Sequence, residues 1–186
     1  MEAFLTSMAL VALAEIGDKT QLLSFVLAAR LRRPAAIIAG IFAATLANHF
    51  LAGWVGTLAA HLIPAHWMPW ITGIVFIAFG FWTLVPDKLD DDDQPAAGHY
   101  GAFVTTLIAF FLAEMGDKTQ FATVALAARF DTLVAVVLGT TLGMLAANVP
   151  AVLIGEKLAH RLPLVWIRRA AALVFVVTGA ATIWRA

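Results

Sequence analysis

Two nearly identical short motifs hold most of the residues that could do chemistry in this sequence. Residues 14–21 read AEIGDKTQ and residues 113–120 read AEMGDKTQ. Each motif places a glutamate and an aspartate three positions apart. These four carboxylates are Glu15, Asp18, Glu114 and Asp117. Oxygen ligands are typical of Ca²⁺, Mg²⁺ and Mn²⁺ sites and disfavour soft metals, so the doubled motif indicates a divalent-cation site.

Amide and hydroxyl oxygens extend the set of candidate ligands. Residues three apart on a continuous helix share a face, so we expect the glutamate, aspartate and glutamine of each motif to form one stripe. The further candidates are Gln21, Gln120, Thr20, Thr119, Ser24, Thr123, Asn48 and Asn148. The lysines Lys19 and Lys118 would offset two of the four carboxylate charges. The remaining charge of −2 would balance one divalent cation.

Each of these features also has a plainer interpretation. The lysines could pair with the carboxylates only to hold helices together. The motif glycines, Gly17 and Gly116, fit either close helix packing or a local break that presents backbone carbonyls. The two asparagines fit interhelical hydrogen bonds, which we favour, or a place on the cation pathway. His49 has no counterpart in the second half of the chain, and we interpret it as a local polar contact rather than a ligand.

The composition places these motifs in a membrane. Of the 186 residues, 62% are hydrophobic and 13% are charged, against about 25% charged in soluble domains. Mean hydropathy is +0.89. A net charge of zero gives no sign of nucleic-acid binding, and the absence of cysteine excludes disulfides and thiolate ligands. No nucleotide-binding loop or nucleophile–base arrangement is visible, so we predict that the protein is not an enzyme and has no cofactor.

Long segments without charge predict an all-α integral membrane protein. No acidic or basic residue occurs in 34–86, 132–155 or 170–184, and a spanning helix needs about 20 apolar residues. None of these segments alternates as the strands of a barrel would. The first segment lacks a basic start, which favours a retained helix over a cleaved signal peptide. We predict six transmembrane helices, at 4–30, 35–60, 68–86, 101–129, 132–156 and 164–185.

The chain is an internal repeat with an offset of 99 residues. The motifs share this offset, and so do Gly40 and Gly139, and Pro64 and Pro163. Three helices per half would make the second half enter the membrane from the opposite side, giving two inverted repeats. We predict a first repeat at 1–86, an acidic linker at 87–100 and a second repeat at 101–186. The linker fits a solvated tether better than a cation-attracting or regulatory loop.

The distribution of basic residues predicts the orientation. Eight of the 12 basic residues fall on the side of the linker, two fall on the other side and two lie inside the motifs. Short cytoplasmic loops carry the excess of lysine and arginine. We therefore expect the linker in the cytoplasm and both termini outside.

With Glu-x-Gly-Asp-Lys-Thr present twice in two three-helix halves joined by an acidic loop, the sequence resembles the calcium/manganese cation antiporter family. Both copies match the family signature, Glu-x-Gly-Asp-(Lys or Arg)-(Thr or Ser), and the resemblance covers essentially the whole chain. It implies divalent-cation transport, with Glu15, Asp18, Glu114 and Asp117 as the cation site. The short linker and the lack of a targeting extension resemble the bacterial members.

The resulting hypothesis is a secondary transporter of a bacterial inner membrane. It would export Mn²⁺, with Ca²⁺ as the main alternative, by alternating access and antiport of protons or Na⁺. Its partners would be the lipid bilayer, the cation and the coupling ion, with a homo-oligomer left open. The rival hypotheses are an exporter of small amino acids on a related fold and a non-transporting scaffold or metal sensor. Paired carboxylates in the middle of the membrane favour a transporter of a bare cation over both of these rival functions.

Overall fold

The computed structural model describes residues 1–85, 101–154 and 163–186, and every secondary-structure element in these ranges is a helix. The predicted acidic linker at 87–100 lies outside the described residues. Eight helices occur within the described ranges. They are α1 (Glu2–Glu15), α2 (Lys19–Leu31), α3 (Pro34–Leu62), α4 (Met68–Thr83), α5 (Ala102–Glu114), α6 (Lys118–Phe130), α7 (Leu133–Ile154) and α8 (Leu164–Trp184).

The two predicted helices that contain the motifs are each broken in the structure. The prediction of continuous helices at 4–30 and 101–129 is wrong, because three residues interrupt the first at 16–18 and the second at 115–117. Gly17 and Gly116 have φ values of 86° and 77°. This left-handed conformation is accessible to glycine at little cost and cannot continue a right-handed helix. The motif glycines therefore end one helix and allow the next to begin.

Helix length and composition agree with a membrane location. Among the described residues, α3, α7 and α8 are long and apolar enough to cross a bilayer, and α4 and α5 are shorter apolar helices. The pair α1–α2 and the pair α5–α6 reach a spanning length only when the two helices of each pair are taken together. Large side chains such as Phe50, Trp54 and Phe81 are about half exposed or more, as expected for a surface that lipid covers.

Helices of one half pack on helices of the other in reciprocal pairs. In α7, a Cβ added at Gly139 would lie 3.0 Å from the Cβ of Ser7 in α1. In α3, a Cβ added at Gly40 would lie 2.8 Å from the Cβ of Thr106 in α5. Ser7 and Thr106 are 99 residues apart, and so are Gly40 and Gly139. The same close helix crossing therefore occurs twice, with the two halves of the chain exchanged.

The contacts between α4 and α8 are also reciprocal between the two halves of the chain. A Cβ added at Gly73 would lie 2.8 Å from the carbonyl oxygen of Gly179, and one added at Gly80 would lie 2.9 Å from that of Ala172. The 99-residue offset relates Gly73 to Ala172 and Gly80 to Gly179, so each contact maps onto the other. The close contacts between α4 and α8, like those of α1 with α7 and of α3 with α5, are therefore reciprocal between the two halves of the chain.

Candidate metal centre

The two motifs meet at their helix breaks. Glu15, Glu114 and Asp117 each offer a carboxylate oxygen, and these oxygens lie within 4.8 Å of one another. The side chains of all three are buried. Asp18 is also buried, but it is not a member of this group of three. Three negative groups this close and this buried repel one another strongly unless a cation or protons intervene.

The helix breaks set the direction of each carboxylate. Glu15 is the last residue of α1, and Asp18 is the N-cap of α2, where its Oδ1 accepts a 2.7 Å hydrogen bond from the Lys19 backbone N–H. The prediction that glutamate, aspartate and glutamine share one helical face is therefore wrong, because the helix ends between them. In the second motif, Glu114 ends α5 and Asp117 occupies the N-cap position of α6, without the side-chain capping hydrogen bond that Asp18 makes.

The motif glutamines stabilise the breaks. The Gly17 N–H donates to Gln21 Oε1 at 2.9 Å, and the Gly116 N–H donates to Gln120 Oε1 at 2.7 Å. A backbone N–H freed by a helix break needs a partner, and in both motifs the side chain four residues later supplies it. The two amide oxygens proposed from the sequence as ligands are thus engaged by the backbone of their own motif.

Two threonines orient the glutamates and leave one oxygen of each unsatisfied. Thr20 Oγ1 donates to Glu15 Oε2 at 2.6 Å, and Thr119 Oγ1 lies 3.2 Å from Glu114 Oε2. The second oxygens, Glu15 Oε1 and Glu114 Oε1, are buried and have no hydrogen-bond partner among the residues that the structure describes, and the same holds for Asp18 Oδ2. Buried polar atoms are nearly always paired. These unpartnered anionic oxygens fit a divalent cation.

The lysines connect the motifs crosswise. Lys118 Nζ lies 3.7 Å from Asp18 Oδ1, and Lys19 Nζ lies 4.0 Å from Asp117 Oδ1. Each lysine thus approaches the aspartate of the other motif, which is a second reciprocal pair of contacts. The sequence offered two interpretations of the lysines, namely pairing that holds helices together and compensation of carboxylate charge. The arrangement fits both, because the ion pairs link the two motifs and also offset two of the four carboxylate charges.

The remaining candidate oxygens take part in hydrogen bonds around the centre. Ser24 Oγ donates to Asn148 Oδ1 at 2.7 Å, and Asn48 Nδ2 donates to the Phe111 carbonyl at 3.0 Å. Both asparagines therefore form the interhelical hydrogen bonds that we favoured from the sequence. Thr123 Oγ1 donates to a backbone carbonyl of its own helix at 2.8 Å. Only Asn48 Oδ1, among these oxygens, is buried with no partner in the described part of the chain.

His49 differs from its sequence interpretation. Its side chain is fully buried in α3, and neither ring nitrogen has a hydrogen-bond partner among the described residues. The prediction of a local polar contact is therefore wrong. Nothing in the local sequence distinguished this histidine, because its lack of partners depends on the helices that surround it.

The two sides of the centre are not equivalent. A Cβ added at Gly17 would lie 3.0 Å from a side-chain atom of Leu164, at the start of α8. A Cβ added at Gly116 would meet nothing within 4 Å among the described residues, and Gly116 is exposed. The start of α8 therefore covers the glycine of the first motif, whereas no described residue covers the glycine of the second motif in the same way.

Comparisons with known proteins agree with these features. The sequence model of the family described as divalent cation/proton antiporter GDT1 matches residues 3–91 and 102–186. A Vibrio cholerae protein named "Putative manganese exporter" is 50% identical over 183 residues, which cover 98% of this chain and 90% of that protein. GDT1-like protein 5 of Arabidopsis thaliana is 29% identical over 96% of this chain and 94% of that protein. No solved structure matches the chain.

These matches cover both halves and both motifs. The family consists of antiporters, so the predictions of a transporter and of a protein that is not an enzyme are confirmed. Together with the apolar helices, they identify a multi-pass membrane protein. The resemblance that the doubled acidic motif indicated is confirmed: this chain belongs to the divalent cation/proton antiporter GDT1 family.

Proposed function

We propose that this protein exports Mn²⁺ across a bacterial inner membrane in exchange for protons, with Ca²⁺ as the main alternative substrate. The observation that carries the proposal is the group of three buried carboxylates, drawn from both motifs, whose oxygens lie within 4.8 Å of one another. The name of the Vibrio cholerae relative supports Mn²⁺ as the cargo, and the family description supports protons as the coupling ion.

The cation would bind between the halves of the chain. Glu15, Glu114 and Asp117 would be its principal ligands, and Asp18 would complete the set when Lys118 moves away from it. The threonine hydroxyls that fix one oxygen of each glutamate leave the other free for the ion. Carboxylate oxygens suit Mn²⁺ and Ca²⁺ alike, so the four carboxylates alone do not select between them.

We infer six membrane spans, arranged as two inverted repeats at 1–86 and 101–186. Each broken pair, α1–α2 and α5–α6, would count as one span, as in transporters whose discontinuous helices form the binding site at mid-membrane. The reciprocal crossings of α1 with α7 and of α5 with α3 support this arrangement. Both termini would lie outside and the linker at 87–100 in the cytoplasm, because this orientation puts most basic residues inside.

The unequal surroundings of the two motif glycines support alternating access. In this structure Leu164 of α8 covers Gly17, while Gly116 is exposed. Repeats related by exchange can adopt two equivalent arrangements, in which the covered and open sides change places. In the second arrangement, the start of α4 would lie over Gly116 and α8 would leave Gly17. The ion would then face the other side of the membrane.

Proton coupling follows from the crowding of the carboxylates. When the ion leaves, repulsion between the buried carboxylates favours protonation of at least one of them. A returning cation must displace that proton, so the two compete for the same oxygens. If the proton enters from one side and the cation leaves towards it, the competition becomes antiport.

Purified protein in liposomes tests this proposal. An imposed proton gradient should accelerate Mn²⁺ flux, and Mn²⁺ affinity should fall between about pH 8 and about pH 6, because protons compete at carboxylates. The variant Asp131→Asn is a matched control, since Asp131 is an exposed carboxylate that pairs only with exposed His61 in the described residues. Flux that ignores the proton gradient but follows a Na⁺ gradient would make Na⁺ the coupling ion. Absence of Mn²⁺ and Ca²⁺ flux would contradict the proposal.

Single cysteines test the topology without background, since the chain has none. Ala35 and Ala65 are exposed near opposite ends of α3, and Ala186 is the exposed C-terminal residue. We expect a membrane-impermeant thiol reagent to label Ala65→Cys and Ala186→Cys from outside the cell. It should label Ala35→Cys only after the membrane is opened. Labelling of Ala35→Cys and Ala65→Cys from the same side would contradict three spans per half.

A further inference from the structure

We propose that Ser24 and Thr123 are positioning residues that decide which of two exchanged arrangements the protein adopts. One is the arrangement of this structure, in which the glycine of the first motif is covered. The other is the exchanged arrangement, in which the glycine of the second motif is covered. Ser24 bonds Asn148 only in the first, and Thr123 would bond Asn48 only in the second. The inference rests on the proposed function and adds to it the contacts that hold each arrangement.

A buried hydrogen bond fastens α2 to α7 in this structure. Ser24 Oγ in α2 donates to Asn148 Oδ1 in α7 at 2.7 Å, and both side chains are buried. Gln21 lies three positions before Ser24, on the same face of α2. Its Nε2 donates to the carbonyl of Ala147 in α7 at 3.0 Å. Because α2 belongs to the first half and α7 to the second, both bonds join the halves.

In the described part of the chain, the second half has an equivalent donor and acceptor that are not joined. Thr123 is equivalent to Ser24 at the offset of 99 residues, and the two asparagines, Asn48 and Asn148, are 100 residues apart. Thr123 Oγ1 donates to the carbonyl of Thr119 in its own helix at 2.8 Å. Asn48 Oδ1 is buried and has no partner among the described residues.

The side-chain nitrogens of the two asparagines differ in a complementary way. Asn48 Nδ2 donates across the halves to the carbonyl of Phe111 in α5 at 3.0 Å. Asn148 Nδ2 donates to the carbonyl of Met144 in its own helix, also at 3.0 Å. Each asparagine thus bonds the opposite half through one of its two polar groups, Asn148 through oxygen and Asn48 through nitrogen. An exchange of these roles would conserve the number of hydrogen bonds between the halves.

Thr123 lies close to the level of Asn48 along the contact between α3 and α6. Helix α3 packs first on α5 and then on α6, so it runs in the same direction as both. Cβ atoms added at Gly53 and Gly56 of α3 would lie 3.9 and 2.9 Å from the Cβ of Ala127 in α6. One turn earlier in both helices, Thr123 is level with residues 49–52, within about one turn of Asn48. A shift of α6 along α3 by less than a turn would therefore bring the two side chains together.

The unpaired state of these side chains suits a contact that forms in another arrangement. Buried polar atoms are nearly always paired, and Asn48 Oδ1 lacks a partner among the described residues. A threonine hydroxyl bonded to the carbonyl four residues earlier makes a local bond that a change of rotamer releases. In the exchanged arrangement, Thr123 would pair this oxygen while Ser24 turns back to its own helix. Because one bond forms as the other breaks, the two arrangements stay close in free energy.

Two matched pairs of spin labels report which arrangement is occupied. Arg33 and Val165 lie near the starts of α3 and α8, and the offset of 99 residues relates them to Thr132 and His66. All four residues are exposed, and the chain has no cysteine of its own. Each pair is replaced by two cysteines and spin-labelled, and double electron–electron resonance gives the distribution of distances. The distance of one pair in this arrangement should equal the distance of the other pair in the exchanged arrangement.

Removal of one hydroxyl at a time should shift the two populations in opposite directions. Ser24→Ala removes the bond of this arrangement, so the ratio of this arrangement to the exchanged one should fall about fivefold, the effect of one hydrogen bond on an equilibrium. Thr123→Ala removes the bond of the exchanged arrangement, so the same ratio should rise by about as much. Ser24→Thr and Thr123→Ser keep the hydroxyl and should stay near the wild-type ratio. The matched control is Thr182→Ala, since the buried Thr182 hydroxyl also donates to its own helix, at 2.7 Å.

Opposite shifts distinguish this role from packing alone, because Thr123 in this structure bonds its own helix just as the control threonine does. The double variant Ser24→Ala with Thr123→Ala should return the ratio to near the wild-type value. Shifts in the same direction, no shift in Thr123→Ala, or one unchanged population in every variant would overturn the inference. Wild-type protein that moves Mn²⁺ in liposomes would leave the proposed function in place in each of these cases. Wild-type protein that moves neither Mn²⁺ nor Ca²⁺ would instead contradict the proposed function itself.

Discussion

Replacing Glu114 by glutamine should abolish Mn²⁺ transport while the protein still inserts into the membrane. Glu114 is fully buried, and one of its oxygens is held by Thr119. The other oxygen has no hydrogen-bond partner within the described part of the chain. The glutamine keeps the shape of the side chain but removes the charge that would balance the cation. Outer-shell partners of metal ligands already account for about 10- to 100-fold in affinity, so the loss of a ligand itself should exceed that range.

The equivalent variants Glu15→Gln, Asp18→Asn and Asp117→Asn should also lose transport. Growth of an efflux-deficient strain in high Mn²⁺ provides the measurement, with the exposed-site variant Asp131→Asn as the control that should rescue growth. If any one motif variant rescues growth as well as wild type, that residue does not belong to the site. Loss of the protein from the membrane would have to be excluded by immunodetection in each case.

Replacing Lys118 by methionine should be the most destabilising of the charge substitutions. The Lys118 and Asp18 side chains are 8% and 1% exposed and lie 3.7 Å apart. Removal of one partner from a buried ion pair leaves an uncompensated charge and typically costs about 3–5 kcal/mol. Lys19 is more exposed than Lys118 and lies farther, at 4.0 Å, from its partner Asp117, so Lys19→Met should cost less than Lys118→Met.

The double variant Asp18→Asn with Lys118→Met separates this effect from general damage. Because it removes both partners, it should recover much of the stability that Lys118→Met loses, although it should not transport. The unfolding midpoint in detergent is the measurement. If Lys118→Met unfolds at the same midpoint as wild type, the crosswise ion pair does not stabilise the contact between the motifs.

The sequence predicted the helical class well because its signal is long. Charge-free segments of about 20 residues are recognisable without knowledge of their neighbours. The ends of α3, α4, α7 and α8 accordingly lie within three residues of the predicted ends where they are described, and the starts of α4 and α8 coincide with the prediction. The doubled motif led us to expect four carboxylates in one site, and the structure brings oxygens of Glu15, Glu114 and Asp117 within 4.8 Å of one another, while Asp18 is outside this group. That these residues bind a cation stays a prediction.

The helix breaks were harder to predict because a glycine within an apolar segment can either allow close helix packing or end a helix. Gly40, Gly56 and Gly139 allow close helix packing, whereas Gly17 and Gly116 adopt positive φ and end a helix. The distinguishing signal was the glutamine four residues after each motif glycine, since its side chain accepts the hydrogen bond of the freed N–H. On a continuous helix these glutamines would lie beside the carboxylates, which is why the sequence alone indicates them as ligands.

His49 shows what a single sequence does not contain. A lone histidine in an apolar helix is compatible with a satisfied hydrogen bond, and only the assembled helices show that its ring nitrogens have no partner among the described residues. Whether a buried polar atom finds a hydrogen-bond partner depends on how the helices pack together. The absence of a hydrogen bond at His49 therefore could not be predicted from the sequence of α3 alone.

The number of Mn²⁺ ions bound per chain tests most directly whether the two motifs form one shared site. Titration calorimetry of the purified protein should give one high-affinity ion per chain. Glu15→Gln and Glu114→Gln, which lie in different motifs, should each eliminate that one ion, since Glu15 and Glu114 belong to the same group of carboxylates. Two ions per chain, of which each substitution removes one and leaves the other, would show that the motifs bind cations separately and would contradict a shared site.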